Sequence, residues 1–465
     1  MTNLRERNYH FIAAGGVGMS ALAKFLLEKG CKVTGSDISE SKYVKMLRNL
    51  GAQIFIGQKA ENIKSDMTII VSSAISEENP ELKEARRLNL PVLHRSDMLQ
   101  MISDEFSKND KSVFFGFSGT HGKTTTSGLC SYVLTKAGEK PSYAVGGIIP
   151  EIGDNSKFIS DKIFIAELDE SDGTIVKYSP DVNIINNLSF DHPDFYKNGM
   201  TDIYNTFKKY IDGTSKNAII VTNADNSGCQ EFIKMIENRQ IITFGLNNAD
   251  YTAKNIIFNG FSSKFDIYYK EEFKTSLEMS IPGIHNVYNA LAVYAALDIK
   301  GFRPERMTEY FKSFSGMGRR FQTVAEFNGI KVIDDYAHHP EEIKTTLSGL
   351  KEYKEGRVIA IFQPHRYTRL QGLWNDFLNA FDTVDKLYVT DVYNASEKPI
   401  DGINSENFVK DLKIKDCQYI SGDMKTVAKT IFQDLKPKDI VITLGAGTVT
   451  QIGGYLQKIS ENKEL

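Results

Sequence analysis

Short apolar runs alternate with amphipathic, helix-like stretches along almost the whole chain. One cycle begins near the N-terminus, where ALAKFLLEKG separates the runs YHFIAA and CKVTGSD, and new cycles begin at SVFFGF and at GIKVIDD. Strands separated by helices of about 10 to 15 residues are typical of βαβ units and a parallel sheet. Residues 250–282 alternate with period two instead, which predicts a small antiparallel patch. The sequence therefore predicts an α/β fold with three domains, each built on a mainly parallel βαβ sheet.

The length and two polar segments predict where these domains begin and end. A chain of 465 residues corresponds to about three domains at roughly 150 residues each. The segment SDEFSKNDKS (103–112) has the composition of a linker, and SGMGRRFQ (315–322) suits an interdomain turn. We therefore predict domains at 1–108, 109–318 and 319–465.

The charge balance and the cysteines exclude several classes of protein. The formal net charge of −3 offers no basic footprint for nucleic acid and no basic face for a membrane surface. The four cysteines are widely spaced and form no CxxC pair, which is typical of a reducing compartment and argues against structural zinc. The N-terminus has no signal-peptide pattern, and no apolar run approaches about 18 residues. We predict a cytoplasmic protein that binds neither nucleic acid nor membranes.

The strongest local signal is GTHGKTTT (119–126), which follows the apolar run VFFGF and precedes the helix-like stretch SGLCSYVLTKAG. A strand, a Gly-rich loop and a helix in this order let backbone N–H groups and a helix N-terminus hold phosphates. Lys123 would neutralise the β- and γ-phosphates of ATP, and the Thr124 hydroxyl would coordinate Mg²⁺. A strict Walker A motif has glycine where this chain has Phe117, and a plain Gly/Thr-rich turn is the alternative. We predict a P-loop ATPase as the central domain.

A dense acidic cluster follows the next apolar run, KIFIAE, and comprises Glu167, Asp169, Glu170 and Asp172. Carboxylates this close repel one another unless a cation intervenes, so we predict a metal site beside the P-loop. His192 follows the run NIINNLS and is predicted to be a further metal ligand or a phosphate contact. The alternative is a loop histidine paired with Asp191 or Asp194.

A second Gly-rich loop lies near the N-terminus. Gly16, Gly18 and Ala21 match G-x-G-x-x-A, and Asp37 follows Gly18 by 19 residues at the end of a predicted strand. This dinucleotide fingerprint indicates a diphosphate on the N-terminus of the first helix, which either NAD or a nucleotide-sugar would supply. The first domain is accordingly predicted to be Rossmann-like.

Two strands of the last domain end in clusters that contain histidine or arginine. The first cluster comprises Asp334, Asp335, Tyr336, His338 and His339, and the second comprises His365, Arg366 and Arg369. Two arginines and a histidine can hold a small carboxylate through forked, charge-assisted hydrogen bonds. A solvated salt-bridge network with Asp334 and Asp335 is the alternative. Because strand ends of this kind bind ligands in α/β sheets, we predict a carboxylate site in a second Rossmann-like domain.

Taken in order, these motifs resemble those of the Mur ligase family. The matching segments are GGVGMS, GTHGKTTT, AELDESD, HNVYNALA, GRRFQ, DDYAHHPEEI, FQPHRYTR and DVYNASEKPIDG, spread from about residue 9 to 455. The resemblance implies a ligase of peptidoglycan precursor synthesis that uses ATP and Mg²⁺ to join L-alanine to UDP-N-acetylmuramate through an acyl phosphate. It also implies a monomer or weak homodimer.

The resemblance further implies a role for individual residues. The ATP contacts would be Gly119, Thr120, His121, Gly122, Lys123, Thr124, Thr125, Asn286, Arg320 and Asp335. The UDP-sugar contacts would be Gly15, Gly16, Gly18, Ser20, Asp37, Ser73, His121, Asp169, Glu170, Ser171 and Asp172. The amino acid would be held by Tyr336, His338, Arg366 and Arg369, and Mg²⁺ by Thr124, Glu167 and His192. Lys123, His338 and Arg366 would be catalytic, with His338 accepting the proton of the incoming amine.

This chain departs from the family pattern at three places, and the strand end NNLSFDHPDFY near His192 is one of them. Ala13 and Ala14 stand where relatives carry Ile-Gly, which predicts a packing change beneath the first Gly-rich loop. Many relatives bridge a second Mg²⁺ with a carbamylated lysine, but Phe207 stands at that position and Lys208 follows it. We do not expect that modification here.

Three other functions remain open from the sequence. A related ligase would attach a recycled peptide to the same sugar nucleotide, although HRYTR and DVYNASE suggest a pocket too narrow and too basic for one. A nicotinamide-dependent oxidoreductase built on the first Gly-rich loop would leave GTHGKTTT and the acidic cluster without a role. A catalytically silent ATP-binding regulator would require lost site residues, and none is missing.

Overall fold

The three predicted cycles each form a mainly parallel sheet, as seen in a computed structural model that describes residues 4–192, 195–259, 262–350, 356–395 and 397–463. The predicted three-domain α/β class is confirmed. The chain divides into two compact units. The first comprises Met1–Ile257 and Ser263–Phe314, and the second comprises Phe258–Ser262 and Ser315–Leu465. The first unit contains two of the sheets and the second unit contains one.

The first sheet is parallel throughout and has the strand order β3-β2-β1-β4-β5. Its strands are β1 (Asn8–Ile12), β2 (Lys32–Asp37), β3 (Gln53–Ile56), β4 (Met67–Val71) and β5 (Val92–His94). Its helices are α1 (Val17–Glu28), α2 (Lys42–Asn49), α3 (Pro80–Arg87) and α4 (Arg95–Ser107). The chain places β2 and β3 on one side of β1, and it then places β4 and β5 on the other side. The carboxyl ends of β1 and β4 therefore form the crevice in which such sheets bind ligands.

Helix α4 occupies half of the segment predicted to be a linker. Reciprocal hydrogen bonds between His94 and Asp97 cap its start, and residues 103–107 complete its last turns. Phe106 is 1% exposed and stacks on Phe164 of the central sheet, with 4.6 Å between the ring centroids. Burying an aromatic ring contributes about 1.5–3 kcal/mol, which outweighs the polar composition around it. The connection between the two sheets that lies outside regular structure is therefore short and comprises residues 108–112. The domain bounds 1–108, 109–318 and 319–465 stay predictions.

The central sheet has ten strands in the order β15-β14-β13-β12-β11-β10-β6-β9-β7-β8. The first five in sequence are β6 (Val113–Ser118), β7 (Ser142–Ile149), β8 (Asp154–Lys157), β9 (Ile163–Glu167) and β10 (Val182–Ile185). The others are β11 (Ile219–Asn223), β12 (Gln240–Gly245), β13 (Tyr251–Asn259), β14 (Ser262–Tyr269) and β15 (Glu272–Met279). The helices are α5 (Lys123–Lys136), α6 (Met200–Gly213), α7 (Ser227–Ile233), α8 (Ile284–Asp298) and α9 (Thr308–Ser313).

The pairing in this sheet places β6 between β9 and β10, all parallel. The carboxyl ends of these three strands therefore lie side by side, which is where the P-loop, the acidic cluster and His192 were predicted. The predicted antiparallel patch is present as β14 and β15, which continue the same sheet. The antiparallel pair β7 and β8 was not predicted, because the glycines of β7 and the polar residues of β8 leave no alternation of apolar and polar side chains in the sequence.

The third sheet has the order β16-β17-β21-β18-β19-β20 and is parallel except for β16 against β17. Its strands are β16 (Gln322–Phe327), β17 (Ile330–Asp335), β18 (Val358–Phe362), β19 (Lys386–Thr390), β20 (Cys417–Ile420) and β21 (Ile440–Leu444). Its helices are α10 (Pro340–Leu350), α11 (Tyr367–Gly372), α12 (Trp374–Leu378), α13 (Ser405–Asp411), α14 (Met424–Phe432) and α15 (Ile452–Ser460). None of the helices in the described ranges has both the length and the apolar surface that crossing a bilayer demands.

Two of the departures from the family pattern have clear structural settings. Ala14 is fully buried beneath the first Gly-rich loop, and its Cβ lies 2.9 Å from where a side chain on Gly35 would begin. Phe207 is fully buried on α6 and packs edge-on against Phe232. Lys208 faces outward and pairs with Asp212 at 2.8 Å, so its amine already has a partner.

Candidate functional site

Two glycines let the loop GTHGKTTT approach the neighbouring strand end closely. Gly119 has φ +112° and Gly122 has φ +83°, both in the left-handed region that favours glycine. A Cβ atom on Gly119 would lie 2.6 Å from the carbonyl oxygen of Asn187, and one on Gly122 would lie 2.8 Å from Asn289 Oδ1. The backbone at Gly119 and Gly122 therefore approaches the residues after β10 without a side chain in between, and the chain turns directly into α5. This geometry holds phosphates at a helix N-terminus.

Polar residues after β10, which the sequence analysis did not single out, hold this loop in place. Asn187 Oδ1 accepts a hydrogen bond from the His121 backbone N–H at 2.8 Å, and Asn187 Nδ2 donates to the His121 carbonyl at 3.0 Å. Thr120 Oγ1 donates to the Ser189 carbonyl at 3.1 Å and accepts from the Ser189 N–H at 2.9 Å. The paired asparagines in NIINNLS were the available signal, because an amide side chain supplies both a donor and an acceptor.

Lys123 places a positive charge at the base of the loop. Its Nζ lies 2.9 Å from Glu170 Oε1 and donates to the carbonyl oxygens of Gly119 at 2.7 Å and Thr120 at 3.1 Å. Burial lowers the pKa of Lys123, but the carboxylates of Glu170 and Asp169 outweigh burial and raise it. The lysine is therefore protonated at neutral pH and can neutralise phosphate charge.

Glu170 is the buried partner of this lysine. It is 3% exposed, and its Oε2 has no hydrogen-bond partner within the described residues. Burial raises the pKa of Glu170, and Asp169 adds to that effect while Lys123 opposes it. The hydroxyl of Tyr196, itself 1% exposed, donates to the Glu170 backbone carbonyl and fixes the position of this residue. An unpaired buried oxygen costs about 1–3 kcal/mol, so this pocket suits a ligand that brings a donor or a cation.

Two of the three predicted metal ligands lie together. Thr124 Oγ1 donates to Glu167 Oε1 at 3.1 Å, and Glu167 Oε2 accepts from the Gly146 N–H at 2.7 Å. A hydroxyl oxygen and a carboxylate at the ends of adjacent strands are the oxygen ligands that Mg²⁺ prefers. These residues fit Mg²⁺ by the chemistry of their donor atoms. No group of three or more His, Cys, Asp or Glu residues suited to a metal occurs in the described part of the chain.

The structure does not bring His192 into contact with this pair. Its φ of +55° is left-handed, and its Nε2 lies 3.7 Å from Asp191 Oδ2. This neighbour is one of the two partners in the alternative interpretation, while Asp194 lies outside the described residues. The role of His192 as a metal ligand stays a prediction.

Helix α8 is joined to the P-loop by a chain of amides. Asn286 Oδ1 accepts from Asn289 Nδ2 at 3.1 Å, and Asn289 Oδ1 accepts from Thr126 Oγ1 at 3.1 Å. Asn186 Nδ2 also donates to Thr126 Oγ1, at 2.7 Å. Asn286 is a predicted ATP contact that follows Thr126 by 160 residues in the sequence. Two hydrogen bonds nevertheless connect it, through Asn289, with the first turn of α5. Thr125 lies on that turn and is partly exposed.

The first Gly-rich loop lies at the carboxyl end of β1, beside the ends of β2 and β4. Gly15 N–H donates to Asp37 Oδ2 at 2.8 Å, and a Cβ on Gly15 would lie 2.8 Å from that oxygen. Gly16 caps α1 without any side-chain hydrogen bond, so the helix begins with bare backbone. Ser73 follows β4 across the crevice, and its Oγ lies 3.1 Å from His94 Nε2. The predicted UDP-sugar residues of this loop thus surround the ligand crevice of the first sheet.

Ser20 differs from the other predicted UDP-sugar contacts. It is 1% exposed, its Oγ donates to the Val17 carbonyl at 3.1 Å, and its N–H donates to the Gly16 carbonyl at 2.8 Å. Its donors are therefore used within α1, beneath the loop.

Arg95 connects the first Gly-rich loop with the acidic cluster, and the sequence analysis missed it. Its Nη1 lies 3.5 Å from where a side chain on Gly18 would begin, and its Nη2 lies 3.6 Å from Asp169 Oδ2. Burial raises the pKa of Asp169, but Lys123, the Ser171 N–H and Arg95 outweigh burial and lower it. The position of Arg95 directly after the strand VLH was the only signal in the sequence for this contact.

Asp172 lies at the outer end of the acidic cluster. Its Oδ1 accepts from the N–H of Thr174 at 3.1 Å and from the hydroxyl of Thr174 at 2.6 Å. Two local donors thus hold this carboxylate in the turn that follows the cluster.

In the second unit, aromatic and histidine rings gather at the carboxyl ends of β17 and β18. His338 Nδ1 lies 3.0 Å from the Tyr336 carbonyl oxygen, and the rings of His338 and His365 are 5.7 Å apart, edge to face. His365 stacks on Tyr393 at 5.5 Å, and Arg369 Nη1 lies 3.1 Å from His365 Nδ1. Three of the four predicted amino-acid contacts, Tyr336, His338 and Arg369, therefore belong to one cluster.

Both histidines of this cluster are neutral at neutral pH. Burial lowers the pKa of His338, and Arg369 and Arg320 add to that effect although Glu342 opposes it. Burial, Arg369 and His338 lower the pKa of His365 to about 4. A neutral imidazole can accept a proton, as a general base must.

Arg366, the fourth predicted amino-acid contact, is held by a carboxylate. Its Nε donates to Glu397 Oε1 at 2.6 Å, and Glu397 also accepts from the Thr368 N–H at 3.1 Å and hydroxyl at 2.6 Å. These hydrogen bonds outweigh desolvation and lower the pKa of Glu397 to about 2. The salt-bridge alternative named Asp334 and Asp335 as partners. Asp334 pairs with Arg319 at 3.2 Å, and Arg366 pairs with Glu397.

Arg320 and Asp335, predicted ATP contacts, lie at the start of the same unit. The guanidinium of Arg320 lies 5.4 Å from the Tyr336 ring centre and 3.8 Å from Glu342 Oε1. Asp335 accepts the backbone N–H groups of Phe321 and Ala337, both at 2.7 Å. Burial raises the pKa of Asp335 to about 6, although Arg320 opposes the shift.

Relatives of this chain carry the same architecture. A UDP-N-acetylmuramate–L-alanine ligase of Geotalea daltonii is 38% identical over 456 residues, covering 97% of this chain and 98% of that protein. A protein of the same name from Carboxydothermus hydrogenoformans is 39% identical over 448 residues, covering 96% and 95%. The solved structure of a UDP-N-acetylmuramate-alanine ligase from Thermotoga maritima matches with a TM-score of 0.83 at 28% identity, covering 98% of this chain and 100% of that one. A murein peptide ligase from Psychrobacter arcticus shares the fold, with a TM-score of 0.73 at 21% identity and coverage of 99% and 100%.

Three family models match consecutive parts of the chain. They are the Mur ligase family catalytic domain over residues 8–107, the Mur ligase middle domain over 117–297, and the Mur ligase glutamate ligase domain over 319–447. Together with relatives above 35% identity over nearly the whole length, these matches cover each of the three sheets. The chain belongs to the Mur ligase family.

Proposed function

We propose that this protein joins L-alanine to UDP-N-acetylmuramate in an ATP-dependent step of peptidoglycan precursor synthesis. The observation that carries this proposal is the P-loop lysine, Lys123, beside the Thr124–Glu167 pair at the carboxyl ends of β6 and β9. This site lies in a chain that is 38% identical, over 97% of its length, to a protein named for the reaction.

The reaction proceeds by activation of a carboxylate. The lactyl carboxylate of UDP-N-acetylmuramate attacks the γ-phosphorus of ATP, which gives an acyl phosphate and ADP. The amine of L-alanine then attacks the acyl carbon, and the tetrahedral species expels phosphate. Charge neutralisation and alignment of the reactants are the main tasks of the protein in such a transfer. The protonated Lys123 supplies the first, at the base of a loop that Asn187 and Ser189 hold rigid.

The oxygen ligands at the P-loop support a bound Mg²⁺. Thr124, Glu167 and His192 would hold the ion, which supplies Lewis-acid stabilisation of the phosphate oxygens when bound. Asn286, through Asn289, keeps the first turn of α5 in register with α8. Arg320 and Asp335 of the second unit are proposed ATP contacts.

The UDP-sugar is proposed to bind at the crevice of the first sheet. Gly15, Gly16 and Gly18 would receive its diphosphate at the N-terminus of α1, with Asp37 and Ser73 beside it. Arg95 extends this surface to Asp169 and so to the acidic cluster that would line the muramoyl end. His121, Glu170, Ser171 and Asp172 are proposed contacts there, and Ser20 supports the loop from beneath.

The amino acid is proposed to bind in the cluster of the second unit. Arg366 and Arg369 would hold its carboxylate, with Tyr336 beside it. The neutral His338 would accept the proton that the ammonium group of L-alanine must lose before it attacks. We further propose the domain bounds 1–108, 109–318 and 319–465, a cytoplasmic location, and a monomer or weak homodimer.

Phosphate release with alternative amino acids tests the proposed reaction. With ATP, Mg²⁺ and UDP-N-acetylmuramate, we expect L-alanine to release phosphate with a kcat/KM at least about tenfold above that of L-serine or glycine. One extra polar or missing methyl group is worth about 1–3 kcal/mol in a small pocket. The measurement is a coupled phosphate assay at several concentrations of each amino acid.

The same assay separates the proposal from its main rival. Turnover with the free tripeptide L-alanyl-γ-D-glutamyl-diaminopimelate and none with L-alanine would identify a peptide-recycling ligase instead. Reduction of NAD without dependence on ATP would contradict both.

Tyr196→Phe tests how the buried Glu170 is positioned. The variant removes the hydroxyl that donates to the Glu170 carbonyl. A hydrogen bond of about 1 kcal/mol corresponds to roughly a fivefold effect, so we expect kcat to fall about fivefold and the KM for ATP to rise. Steady-state phosphate release at varied ATP measures both constants.

Tyr210→Phe is the matched control for this substitution. Tyr210 is also fully buried in the first unit, but its hydroxyl has no hydrogen-bond partner in the described residues. We expect unchanged kcat and KM, and unchanged or higher thermal stability. Equal kinetic effects of the two variants would show that Tyr196 only fills the core.

A further inference from the structure

A cavity at the far end of the central domain from the P-loop is lined by three cations. It has a volume of about 500 Å³ and lies beyond the last residues of α5 and α8. Lys300, Arg303 and Arg306 contribute the cations, and Phe302 and Tyr310 contribute aromatic walls. Because α5 has 14 residues, its length of about 21 Å separates this cavity from the P-loop. The cavity is open to solvent, and its volume is sufficient for a small molecule.

The charges of the cavity are not balanced from within. Glu139 is the only carboxylate among its lining residues, so the lining carries a net charge of +2. Lys300, Arg303 and Arg306 make no side-chain hydrogen bond or ion pair with any described residue. Asp181, directly before β10, is the carboxylate whose pKa Lys300 lowers. Burial outweighs this effect and raises the pKa of Asp181. Three cations that line one cavity make it a favourable place for an anion.

The backbone holds Arg303 at the rim. Its φ of +52° is left-handed, and the ring of Pro304 fixes the next residue as the first of a short 3₁₀ turn. Arginine adopts this conformation at an energetic cost that surrounding packing must offset. Pro304 is buried, so the rim position of Arg303 is set by the fold.

We propose that this cavity binds a small molecule that carries a phosphate group. Guanidinium groups form paired, charge-assisted hydrogen bonds with phosphate oxygens, and Arg303 and Arg306 present two of them beside an ammonium group. The aromatic faces of Phe302 and Tyr310 suit the organic part of a phosphate ester. The site is separate from both nucleotide-binding loops and does not depend on the proposed ligase reaction.

Isothermal titration with phenyl phosphate and with inorganic phosphate tests this site. The double variant R303N/R306S is expected to bind phenyl phosphate at least about tenfold more weakly than wild type, because it removes both guanidinium groups that would hydrogen-bond the phosphate. Asparagine is chosen at position 303 because it tolerates positive φ. Tighter binding of phenyl phosphate than of phosphate assigns an ester ligand, and equal binding assigns the phosphate anion alone.

The control variant K209S/K216S removes the same charge elsewhere on the first unit. Lys209 and Lys216 are exposed and make no side-chain contact with described residues, so binding within twofold of wild type is expected. Hydrogen exchange on the wild type adds a measurement that needs no variant, and phenyl phosphate should slow exchange in residues 299–310. The proposal is overturned by equal binding in R303N/R306S and wild type, by unchanged exchange in that segment, or by no binding up to about 10 mM.

Discussion

Lys123→Ala is expected to lower ATP-dependent phosphate release by about a thousandfold while UDP-N-acetylmuramate still binds. The lysine supplies the positive charge at the base of the P-loop, where charge moves during phosphoryl transfer. Removing one such preorganised group costs about 3–4 kcal/mol of transition-state stabilisation. The first Gly-rich loop, where we propose that the UDP-sugar binds, follows a strand of a different sheet and keeps its Gly15–Asp37 hydrogen bond. Turnover is measured by phosphate release, and sugar-nucleotide binding by isothermal titration.

A stability control is essential for this variant, because Lys123 also neutralises the buried Glu170. Leaving a buried charge without its partner costs about 3–5 kcal/mol, so the variant must be shown to be folded. Lys29→Ala is the matched control. Lys29 is a 6% exposed lysine of the same unit that pairs with Glu105 and Asp161. The Lys29→Ala variant should lower thermal stability as the Lys123→Ala variant does, but its turnover per folded molecule should stay within twofold of wild type. A Lys123→Ala enzyme within tenfold of wild-type turnover would show that the P-loop assignment is wrong.

Glu167→Gln is expected to lower kcat by about a hundredfold and to raise the Mg²⁺ concentration needed for half-maximal turnover. The substitution keeps the shape of the side chain but removes the charge beside Thr124. A metal ion contributes several kcal/mol of charge stabilisation, and about 3 kcal/mol corresponds to a hundredfold effect. Phosphate release across a Mg²⁺ titration measures both changes. Because glutamine still offers an oxygen, higher Mg²⁺ should recover part of the activity.

Glu28→Gln is the matched control for this substitution. Glu28 also accepts a backbone N–H, from Phe158 at 2.9 Å, and it pairs with Lys24 at 2.7 Å, away from the P-loop. We expect an unchanged Mg²⁺ requirement for this variant. If Glu167→Gln needs no more Mg²⁺ than wild type does, Glu167 does not hold the ion.

The resemblance to the Mur ligase family was sufficient to predict one contact of the candidate site. The resemblance implied that Thr124 and Glu167 share a metal, and their side-chain oxygens are 3.1 Å apart. Glu167 ends β9, and Thr124 lies on the first turn of α5, which follows the adjacent parallel strand β6.

Contacts between residues distant in sequence could not be predicted in this way. Arg95 reaches both Gly18 and Asp169 only because α4 packs between two sheets. Glu397 holds Arg366 from a loop whose composition resembles any polar turn. The polar segment 103–112 was interpreted as a linker, yet Phe106 within it is buried against Phe164. Composition averages over a segment, whereas burial is decided one side chain at a time.

The sequence by itself determined the α/β class, the three strand–helix cycles and the positions of two Gly-rich loops. Periodicity and glycine placement are local properties, and each acts through backbone geometry within a few residues. Only the tertiary structure decided which charges meet: Lys123 with Glu170, Arg95 with Asp169, and Arg366 with Glu397. These pairs depend on the order of strands and the packing of helices, which the sum of many weak apolar contacts selects. That same packing left Lys300, Arg303 and Arg306 together around one cavity.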